Sequence, residues 1–156
     1  MELKRPENYF IKKLLNEVKL KDIMTTAVIS IREDEPFHRV EEKLKSHRIR
    51  HLPVVDVNNR LVGLITQRDL YKIQSPRKLE DGTWYYDRQM LDNFILKHVM
   101  AKAVCTLSSE ASVAEALLKM VDTKYGCIPI VDDKNMLCGI ITQIDILKIA
   151  ARILRE

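Results

Sequence analysis

The four-residue motif T-Q-x-D occurs twice, at Thr66–Asp69 and at Thr142–Asp145, 76 positions apart. A threonine followed three residues later by an acidic residue resembles a capping box, in which both side chains bind free backbone N–H groups at a helix start. The same residues could instead bind a ligand. A helix N-terminus attracts phosphate, and a carboxylate can accept hydrogen bonds from ribose hydroxyl groups. The motif alone is compatible with either a structural role or a ligand-binding role.

Three basic residues near the first motif have no basic counterpart near the second. Arg50 and His51 directly precede the apolar run L-P-V-V, and Arg68 lies within the first T-Q-x-D motif. Arginine suits phosphate because its planar guanidinium group donates several hydrogen bonds in a fixed geometry. The equivalent positions of the second copy are Gly126, Cys127 and Ile144. If both copies bind a ligand, we expect the two sites to be unequal.

The two T-Q-x-D motifs belong to a longer duplication. A shift of 76 positions aligns Met24–Ile73 with Met100–Ile149 without a gap. Each copy predicts the order β-α-β-β-α, so the fold class is mixed α/β (α+β). Two copies are too few for a solenoid, and we expect them to pack about a pseudo-two-fold axis.

Short apolar runs predict the first strand of each copy, at Ala27–Ile31 and Ala103–Leu107. A helix follows in each copy. In the first copy Pro36 lies in the first turn, and the buried face comprises Phe37, Val40 and Leu44. In the second copy Ser108, Ser109 or Ser112 caps the helix, and the buried face comprises Val113, Ala116, Leu117 and Met120.

Further strands are predicted at H-L-P-V-V-D and L-V-G-L-I-T, and at C-I-P-I-V-D and L-C-G-I-I-T, with an Asp- and Asn-rich turn inside each pair. Before the copies, residues 7–20 predict a helix with an apolar face of Phe10, Leu14, Leu15 and Val18. Between them lies a polar linker with the aromatic segment Trp84–Tyr86. The organisation is an N-terminal helix over residues 1–19, repeat 1 over 20–74, a linker over 75–93 and repeat 2 over 94–156.

Composition excludes several classes of protein. With 46% hydrophobic and 31% charged residues, the chain is typical of a globular protein, and no apolar run has the roughly 20 residues of a membrane span. The formal charge of +4 suits a small anion better than a nucleic acid. Three cysteines without metal-ligand spacing predict neither a disulfide framework nor a metal site. The N-terminus lacks the apolar centre of a signal peptide, so we expect the cytoplasm.

Motifs of both halves resemble a known family. These are D-I-M-T-T-A-V-I-S-I, H-R-I-R-H-L-P-V-V-D and L-V-G-L-I-T-Q-R-D-L in the first half, and H-V-M-A-K-A-V-C-T-L, Y-G-C-I-P-I-V-D and L-C-G-I-I-T-Q-I-D-I in the second. They are similar to paired cystathionine-β-synthase (CBS) domains, an arrangement called a Bateman module. The resemblance covers about Leu20 to Ala151. It implies two β-α-β-β-α units with two clefts between the repeats that bind adenosine derivatives.

The resemblance also implies roles for individual residues. The aspartates would hold the ribose, the threonines ribose or phosphate, and Arg50 and His51 phosphate, while short apolar stretches would line the base and form the wall of the cleft. The nucleotide-binding residues predicted in this way, together with Arg68, are Ala27, Val28, Arg50, His51, Leu52, Pro53, Thr66, Arg68, Asp69, Ala103, Val104, Ile128, Pro129, Thr142 and Asp145.

The function implied is a regulatory module that senses AMP, ADP, ATP or S-adenosylmethionine, with AMP or ATP favoured. Such a module would be a homodimer, would act on a separate effector protein, and would need no cofactor or metal. An alternative is a ligand-free interaction or dimerisation module that presents Trp84–Tyr86. An enzyme is disfavoured, because the sequence has no P-loop, no H-E-x-x-H and no Ser-His-Asp pattern with supporting motifs.

Overall fold

The computed structural model describes residues 5–74, 76–85, 91 and 94–155. The chain forms two compact units. We name Ile29–Val104 the central unit, and Met1–Val28 together with Cys105–Glu156 the terminal unit. These units do not follow the repeats predicted from the sequence. The beginning of repeat 1, up to Val28, belongs to the terminal unit, and the beginning of repeat 2, up to Val104, belongs to the central unit.

The central unit contains a three-stranded sheet. Its helices and strands are β1 (Ile31–Arg32), α2 (His38–Ser46), β2 (His51–Val55), β3 (Leu61–Thr66), α3 (Gln67–Ile73), β4 (Arg77–Lys78), β5 (Trp84–Tyr85) and α4 (Leu96–Val99). Strand β2 pairs with β1 in parallel and with β3 antiparallel. Strands β4 and β5 form a separate antiparallel hairpin.

Helix α2 has the apolar face predicted from its spacing. Phe37, Val40 and Leu44 are at most 2% exposed. The helix begins at His38, two residues after Pro36, and its N-cap Phe37 makes no side-chain capping hydrogen bond. Burial of this face, not a cap, therefore holds α2 against the sheet.

The core of the central unit includes residues from beyond repeat 1. Leu52, Val54 and Ile65 of the sheet pack with α2 and with Leu70. Leu91, Leu96 and Met100 complete this core, and the Phe94 ring lies 6.2 Å from the Phe37 ring between centroids. The residues that follow repeat 1 therefore supply part of its hydrophobic core.

The terminal unit repeats the same hairpin and final helix. It comprises α1 (Arg5–Glu17), a single 3₁₀ turn (Leu20–Asp22), α5 (Val113–Thr123), β6 (Cys127–Val131), β7 (Leu137–Thr142) and α6 (Gln143–Ile153). Strands β6 and β7 are antiparallel in the same register as β2 and β3. The core combines Leu20 with Val113, Ala116 and Met120 of α5 and Ile128, Ile130 and Ile141 of the sheet.

Of the three serines proposed as caps, Ser112 caps α5. Its hydroxyl accepts a hydrogen bond from the Glu115 N–H, and the Glu115 carboxylate accepts one from the Ser112 N–H at 2.7 Å. This reciprocal pair is a capping box. The predicted buried face is also confirmed: Val113, Ala116 and Met120 are buried, with Leu117 packed against them.

The first strand predicted in each copy is mostly absent. Only Ile31 of Ala27–Ile31 is in β1, and Ala103–Leu107 contributes one parallel bridge, between Leu107 and Ile130. In both segments the chain turns instead, because the Val28 N–H donates to the Thr26 carbonyl and the Val104 N–H donates to the Lys102 carbonyl. An N–H group that donates within such a turn cannot donate a hydrogen bond to a neighbouring strand.

The N-terminal helix begins at Arg5 and ends at Glu17, and only part of its predicted face is buried. Leu15 and Val18 pack against the core of the terminal unit. Phe10 and Leu14, predicted on the same face, are 74% and 40% exposed, so this part of the apolar face is not buried. The buried side of α1 is narrower than its apolar composition suggests.

Candidate functional site

In the central unit, the end of the β2–β3 hairpin brings several predicted residues together. His51, the first residue of β2, pairs with Thr66, the last residue of β3. Helix α3 starts at the next residue, and its Gln67 N–H donates to the Arg50 carbonyl at 2.9 Å. Arg50, His51, Thr66 and the first turn of α3 therefore share one corner of the sheet.

Thr66 and Asp69 form a complete capping box at this corner. The Asp69 Oδ2 atom accepts hydrogen bonds from the Thr66 N–H at 2.9 Å and from the Thr66 hydroxyl at 2.7 Å. The Asp69 N–H donates to Thr66 Oγ1 at 3.3 Å. The structural role suggested by the sequence is thus confirmed. The exposed Lys72 ammonium lies 3.9 Å from Asp69 Oδ1.

The terminal unit repeats this geometry. Asp145 Oδ2 accepts from the Thr142 N–H at 2.9 Å and from its hydroxyl at 2.7 Å, and the Asp145 N–H donates to Thr142 Oγ1 at 3.3 Å. Both boxes use one carboxylate oxygen, and a carboxylate can accept about four hydrogen bonds. The cap therefore orients each carboxylate while leaving acceptor capacity on Oδ1, so capping and ligand binding are compatible.

The two corners differ in charge. Arg50 and Arg68 are exposed in the central unit, beside the half-buried His51. Burial, and then the positive charge of Arg50, lower the pKa of His51 below its usual 6.5. Arg48 is also exposed and has a positive φ of 52°.

In the equivalent corner of the terminal unit, the exposed Lys124, with a positive φ of 57°, corresponds to Arg48, but the counterparts of Arg50, His51 and Arg68 are not basic. The Gly126 carbonyl accepts the Gln143 N–H at 3.1 Å, as Arg50 does for Gln67. Cys127 occupies the position that corresponds to His51 and is 2% exposed. Burial raises the pKa of its thiol to about 12, so the thiol stays neutral. Ile144, 41% exposed, replaces Arg68. The backbone of the two corners is alike, but their electrostatics are not.

The segments predicted to line the base are exchanged between the repeats. Ala101 forms an antiparallel bridge with Leu64 of β3, with both backbone hydrogen bonds at 2.9 Å, and this places Ala103 and Val104 in the central unit. Thr25 forms the equivalent bridge with Ile140 of β7. Ala27 and Val28 accordingly belong to the terminal unit.

A methionine next to each bridge packs onto a glycine of the facing strand. A Cβ atom built on Gly63 would lie 2.4 Å from Met100 Sδ, and one built on Gly139 would lie 2.4 Å from Met24 Sδ. Such a separation excludes any side chain unless the methionine moves. Sequence reasoning missed these contacts, although the matched Met and Gly identities of the two copies were a signal.

The predicted apolar wall is buried in the hydrophobic cores. Leu52 and Ile128 are 0% exposed and belong to the two core clusters, and Pro53 and Pro129 are also buried. Their packing holds the strand ends that carry His51 and Cys127.

Residues 5–74, 76–85, 91 and 94–155 contain neither a cluster of metal ligands nor a membrane-spanning helix. Across that part of the chain, no group of three or more His, Cys, Asp or Glu side chains is placed to hold a metal ion. None of the helices described there is long and apolar enough to cross a bilayer.

Comparison with known proteins finds one family match in each half of the chain. The sequence profile of the CBS domain family matches residues 20–75 and 96–152. An inosine-5'-monophosphate dehydrogenase from Methanocaldococcus jannaschii is 34% identical over 136 residues, 87% of this chain. The chain spans about a quarter of the length of this relative and of a similar homoserine O-acetyltransferase from Methanococcus vannielii.

Solved structures share the fold. The acetoin utilization protein of Vibrio cholerae is 28% identical with a TM-score of 0.72, over 88% of this chain and 93% of that one. The CBS domain pair of protein MJ0100, solved in complex with 5-methylthioadenosine and S-adenosyl-L-methionine, is 26% identical with a TM-score of 0.69, over 85% of this chain and 99% of that one.

Proposed function

Since this chain belongs to the CBS domain family, with one matched domain in each repeat, we propose that it is a regulatory module that binds an adenosine derivative. The observation that carries the proposal is the duplicated corner, in which a capping box holds an aspartate at the junction of strand and helix. A neighbour of the same fold, the domain pair of protein MJ0100, was solved with two adenosine derivatives.

The central corner is the proposed site for a phosphorylated ligand, AMP or ATP. Asp69 would accept hydrogen bonds from the ribose hydroxyl groups through Oδ1. Arg50, Arg68 and His51 would then meet the phosphate, near the N-terminus of α3. The terminal corner, with Cys127 and Ile144 in place of cations, would bind such a ligand more weakly.

The proposed role is non-catalytic. The module would work as a homodimer, and its bound nucleotide would control a separate effector protein. Its three cysteines are free, which is typical of a reducing compartment, so we propose that it acts in the cytoplasm.

A thermal-shift assay of the full chain tests this function, because a ligand that binds only the folded protein raises its melting temperature. The compounds are AMP, ADP, ATP, S-adenosylmethionine, NAD and cyclic dinucleotides. We expect AMP or ATP to raise the melting temperature. No response to any of these compounds would contradict the proposal.

A conservative variant separates ligand binding from helix capping. Glutamate at the third helical position completes a capping box, as Glu115 does for Ser112. We therefore expect Asp69→Glu to keep the melting temperature of the free protein. Because the longer side chain displaces the carboxylate by one methylene, AMP affinity should fall about tenfold or more. Unchanged affinity would restrict Asp69 to the structural role.

A ligand-free interaction module remains the second candidate. The β4–β5 hairpin favours it, because Trp84 is 63% exposed, with the Lys78 ammonium 5.8 Å from its ring centroid. Tyr86, the third aromatic residue of the predicted segment, lies outside the described residues.

A further inference from the structure

Helix α2 ends in a Schellman motif. The Ile49 N–H donates to the Leu44 carbonyl at 3.1 Å, and the Arg48 N–H donates to the Lys45 carbonyl at 3.2 Å. In this motif the residue after the C-cap has a left-handed backbone and is usually glycine, because a Cβ atom is crowded in that conformation. The residue here is Arg48, with a φ of 52°. Its side chain is therefore a cost to the fold at this position.

Two other positions with a left-handed backbone carry asparagine. Within the described part of the chain, the non-glycine residues with positive φ are Arg48, Asn59, Lys124 and Asn135, with values from 52° to 63°. Asparagine tolerates this backbone because its short polar side chain can form local hydrogen bonds. The longer side chain of arginine has no such advantage. The backbone at this position therefore explains glycine or asparagine, but not arginine.

The Arg48 side chain is also not held by a carboxylate. It is exposed, and no residue of the described part of the chain forms an ion pair with it. On α2, by contrast, Arg39 pairs with Glu42 at 2.6 Å and Lys43 pairs with Glu35 at 3.6 Å. The guanidinium charge of Arg48 is therefore available to a ligand.

Arg48 lies beside the groups proposed to bind phosphate. Arg50 follows it after a single residue, Ile49, which packs against the core of the central unit. The Arg50 carbonyl accepts the Gln67 N–H at 2.9 Å, so the Arg50 backbone contacts the N-terminus of α3. Two residues of chain span at most about 7 Å. Arg48 is thus at the same corner, but farther along the chain from the α3 contact than Arg50.

The cations at this corner exceed what one phosphate group needs. A phosphate monoester carries about two negative charges at pH 7. The exposed side chains of Arg48, Arg50 and Arg68 supply three positive charges, and none of them forms an ion pair with a described residue. Asp69 and Lys72, 3.9 Å apart, offset each other. Because like charges repel, this cluster favours a ligand with more than one phosphate group.

We propose that Arg48 binds the phosphate groups beyond the first and so makes the central corner select ATP over AMP. The proposal rests on the proposed function, because it places an adenine nucleotide at this corner. With the ribose at Asp69 and the first phosphate at Arg50 and α3, the further phosphates extend toward Arg48. Arginine suits this role because charge-assisted hydrogen bonds from its planar guanidinium group to phosphate are strong.

Titration calorimetry of the full chain with AMP and with ATP, without divalent cations, tests the selection. We expect the unmodified protein to bind ATP about tenfold more tightly than AMP or better. Arg48→Gly should lower ATP affinity about tenfold and AMP affinity less than about threefold, because only ATP reaches Arg48. Arg48→Lys keeps the charge and should keep ATP affinity within about threefold of the unmodified protein. Added KCl should weaken ATP binding less in Arg48→Gly than in the unmodified protein.

Lys124→Gly is the matched control. Lys124 has the same left-handed backbone and the same charge as Arg48, but the residues that correspond to Arg50 and Arg68 are Gly126 and Ile144. This variant should leave the affinities for both nucleotides within about twofold, since a lone cation forms no phosphate clamp. Both glycine variants should raise the melting temperature of the free protein by about 1–3 °C, because glycine relieves the crowded Cβ atom. Loss of ATP affinity in Arg48→Gly then cannot result from unfolding.

Three results would overturn the selection and leave the proposed function intact. They are tighter binding of AMP than of ATP by the unmodified protein, equal losses of AMP and ATP affinity in Arg48→Gly, and an equal loss of ATP affinity in Lys124→Gly. Absence of binding by both AMP and ATP would also overturn the selection. The proposed function itself fails only if every adenosine compound of the thermal-shift assay is without effect.

Discussion

Asp69 and Asp145 have the same hydrogen bonds to their threonines, but the charges around them differ. The cations Arg50 and Arg68 accompany only Asp69. In the proposed function, Asp69 would therefore act together with the guanidinium groups of Arg50 and Arg68 on a phosphorylated ligand, whereas Asp145 would not. This difference leads to a prediction about the two aspartates.

We expect Asp69→Ala to reduce AMP affinity about 30-fold or more and Asp145→Ala to reduce it less than threefold, as measured by calorimetry. Each change also removes one capping box, which costs about 1 kcal/mol of stability. Because the two boxes have the same geometry, the free variants should lose similar stability. Equal losses of affinity would contradict the predicted inequality of the sites.

His51 predicts a pH dependence of AMP binding. Burial and Arg50 hold its pKa below 6.5 in the free protein, so the ring is neutral at pH 7. A bound phosphate favours the charged imidazolium and raises the pKa of His51 in the complex. Binding then takes up a proton, so AMP affinity should rise as the pH falls below 7 and level off below the pKa of free His51.

Titration calorimetry of AMP at several values between about pH 5.5 and 8 measures this dependence. His51→Gln is the control, because it keeps a polar side chain but removes the titrating ring. Protonation of the phosphate itself, near pH ~6, affects both proteins alike. The same slope for both proteins would exclude His51 from phosphate binding.

At the scale of elements, short bridges attach the segments Met24–Thr25 and Met100–Ala101 to strands β7 and β3. Each bridge is accompanied by a methionine that occupies the space above a glycine. A side chain added at either glycine would collide with the methionine, so these two residues jointly position the segments that precede Ala27 and Ala103.

The two glycines differ in a way that can be measured. Gly139→Ala and Gly63→Ala should each cost about 1–3 kcal/mol of stability through overpacking. Around Gly139 all three nearest atoms belong to the Met24 side chain, whereas around Gly63 one is the Ala101 carbonyl oxygen, 3.1 Å from the added Cβ. Met24→Ala should therefore relieve Gly139→Ala more than Met100→Ala relieves Gly63→Ala.

Urea denaturation of the four single and two double variants gives the two coupling free energies. The single methionine variants account for the cost of the cavity that each change leaves. Larger relief at Gly63 than at Gly139 would contradict the role assigned to the Ala101 carbonyl.

At the scale of the whole molecule, sequence pattern predicted the hairpins and the helices of the repeats, but not that the first strand of each copy is mostly absent. Turn residues and alternating apolar runs indicated both hairpins, and the spacing of Phe37, Val40 and Leu44 indicated the buried face of α2. Capping chemistry narrowed the start of α5 to three serines, and Ser112 is the cap. Each of these features depends on residues close together in the chain.

Features that depend on distant pairing were not predictable in the same way. The duplication aligns Ala103 with Ala27 but says nothing about which strand either segment joins, since both copies offer the same hydrogen-bonding edge. The apolar residues of α1 did not reveal that Phe10 is exposed, because packing partners decide which side of a helix is buried. Likewise the sequence suggested His51 as a phosphate ligand, but its lowered pKa results from burial in the folded unit.

The exchange of segments predicts which part of the chain folds alone. The described core of the central unit runs from Ile31 to Met100 and includes Leu91 and Leu96. A fragment of residues 29–104 contains all of these residues, whereas a fragment of repeat 1, residues 20–74, lacks Leu91, Leu96 and Met100 and begins with Leu20, a core residue of the terminal unit. Because each missing core side chain removes several kcal/mol of apolar burial and leaves a cavity, we expect only the first fragment to unfold cooperatively on heating, as measured by circular dichroism and calorimetry. A cooperative transition for residues 20–74, or none for residues 29–104, would show that the repeat rather than the compact unit is the folding unit.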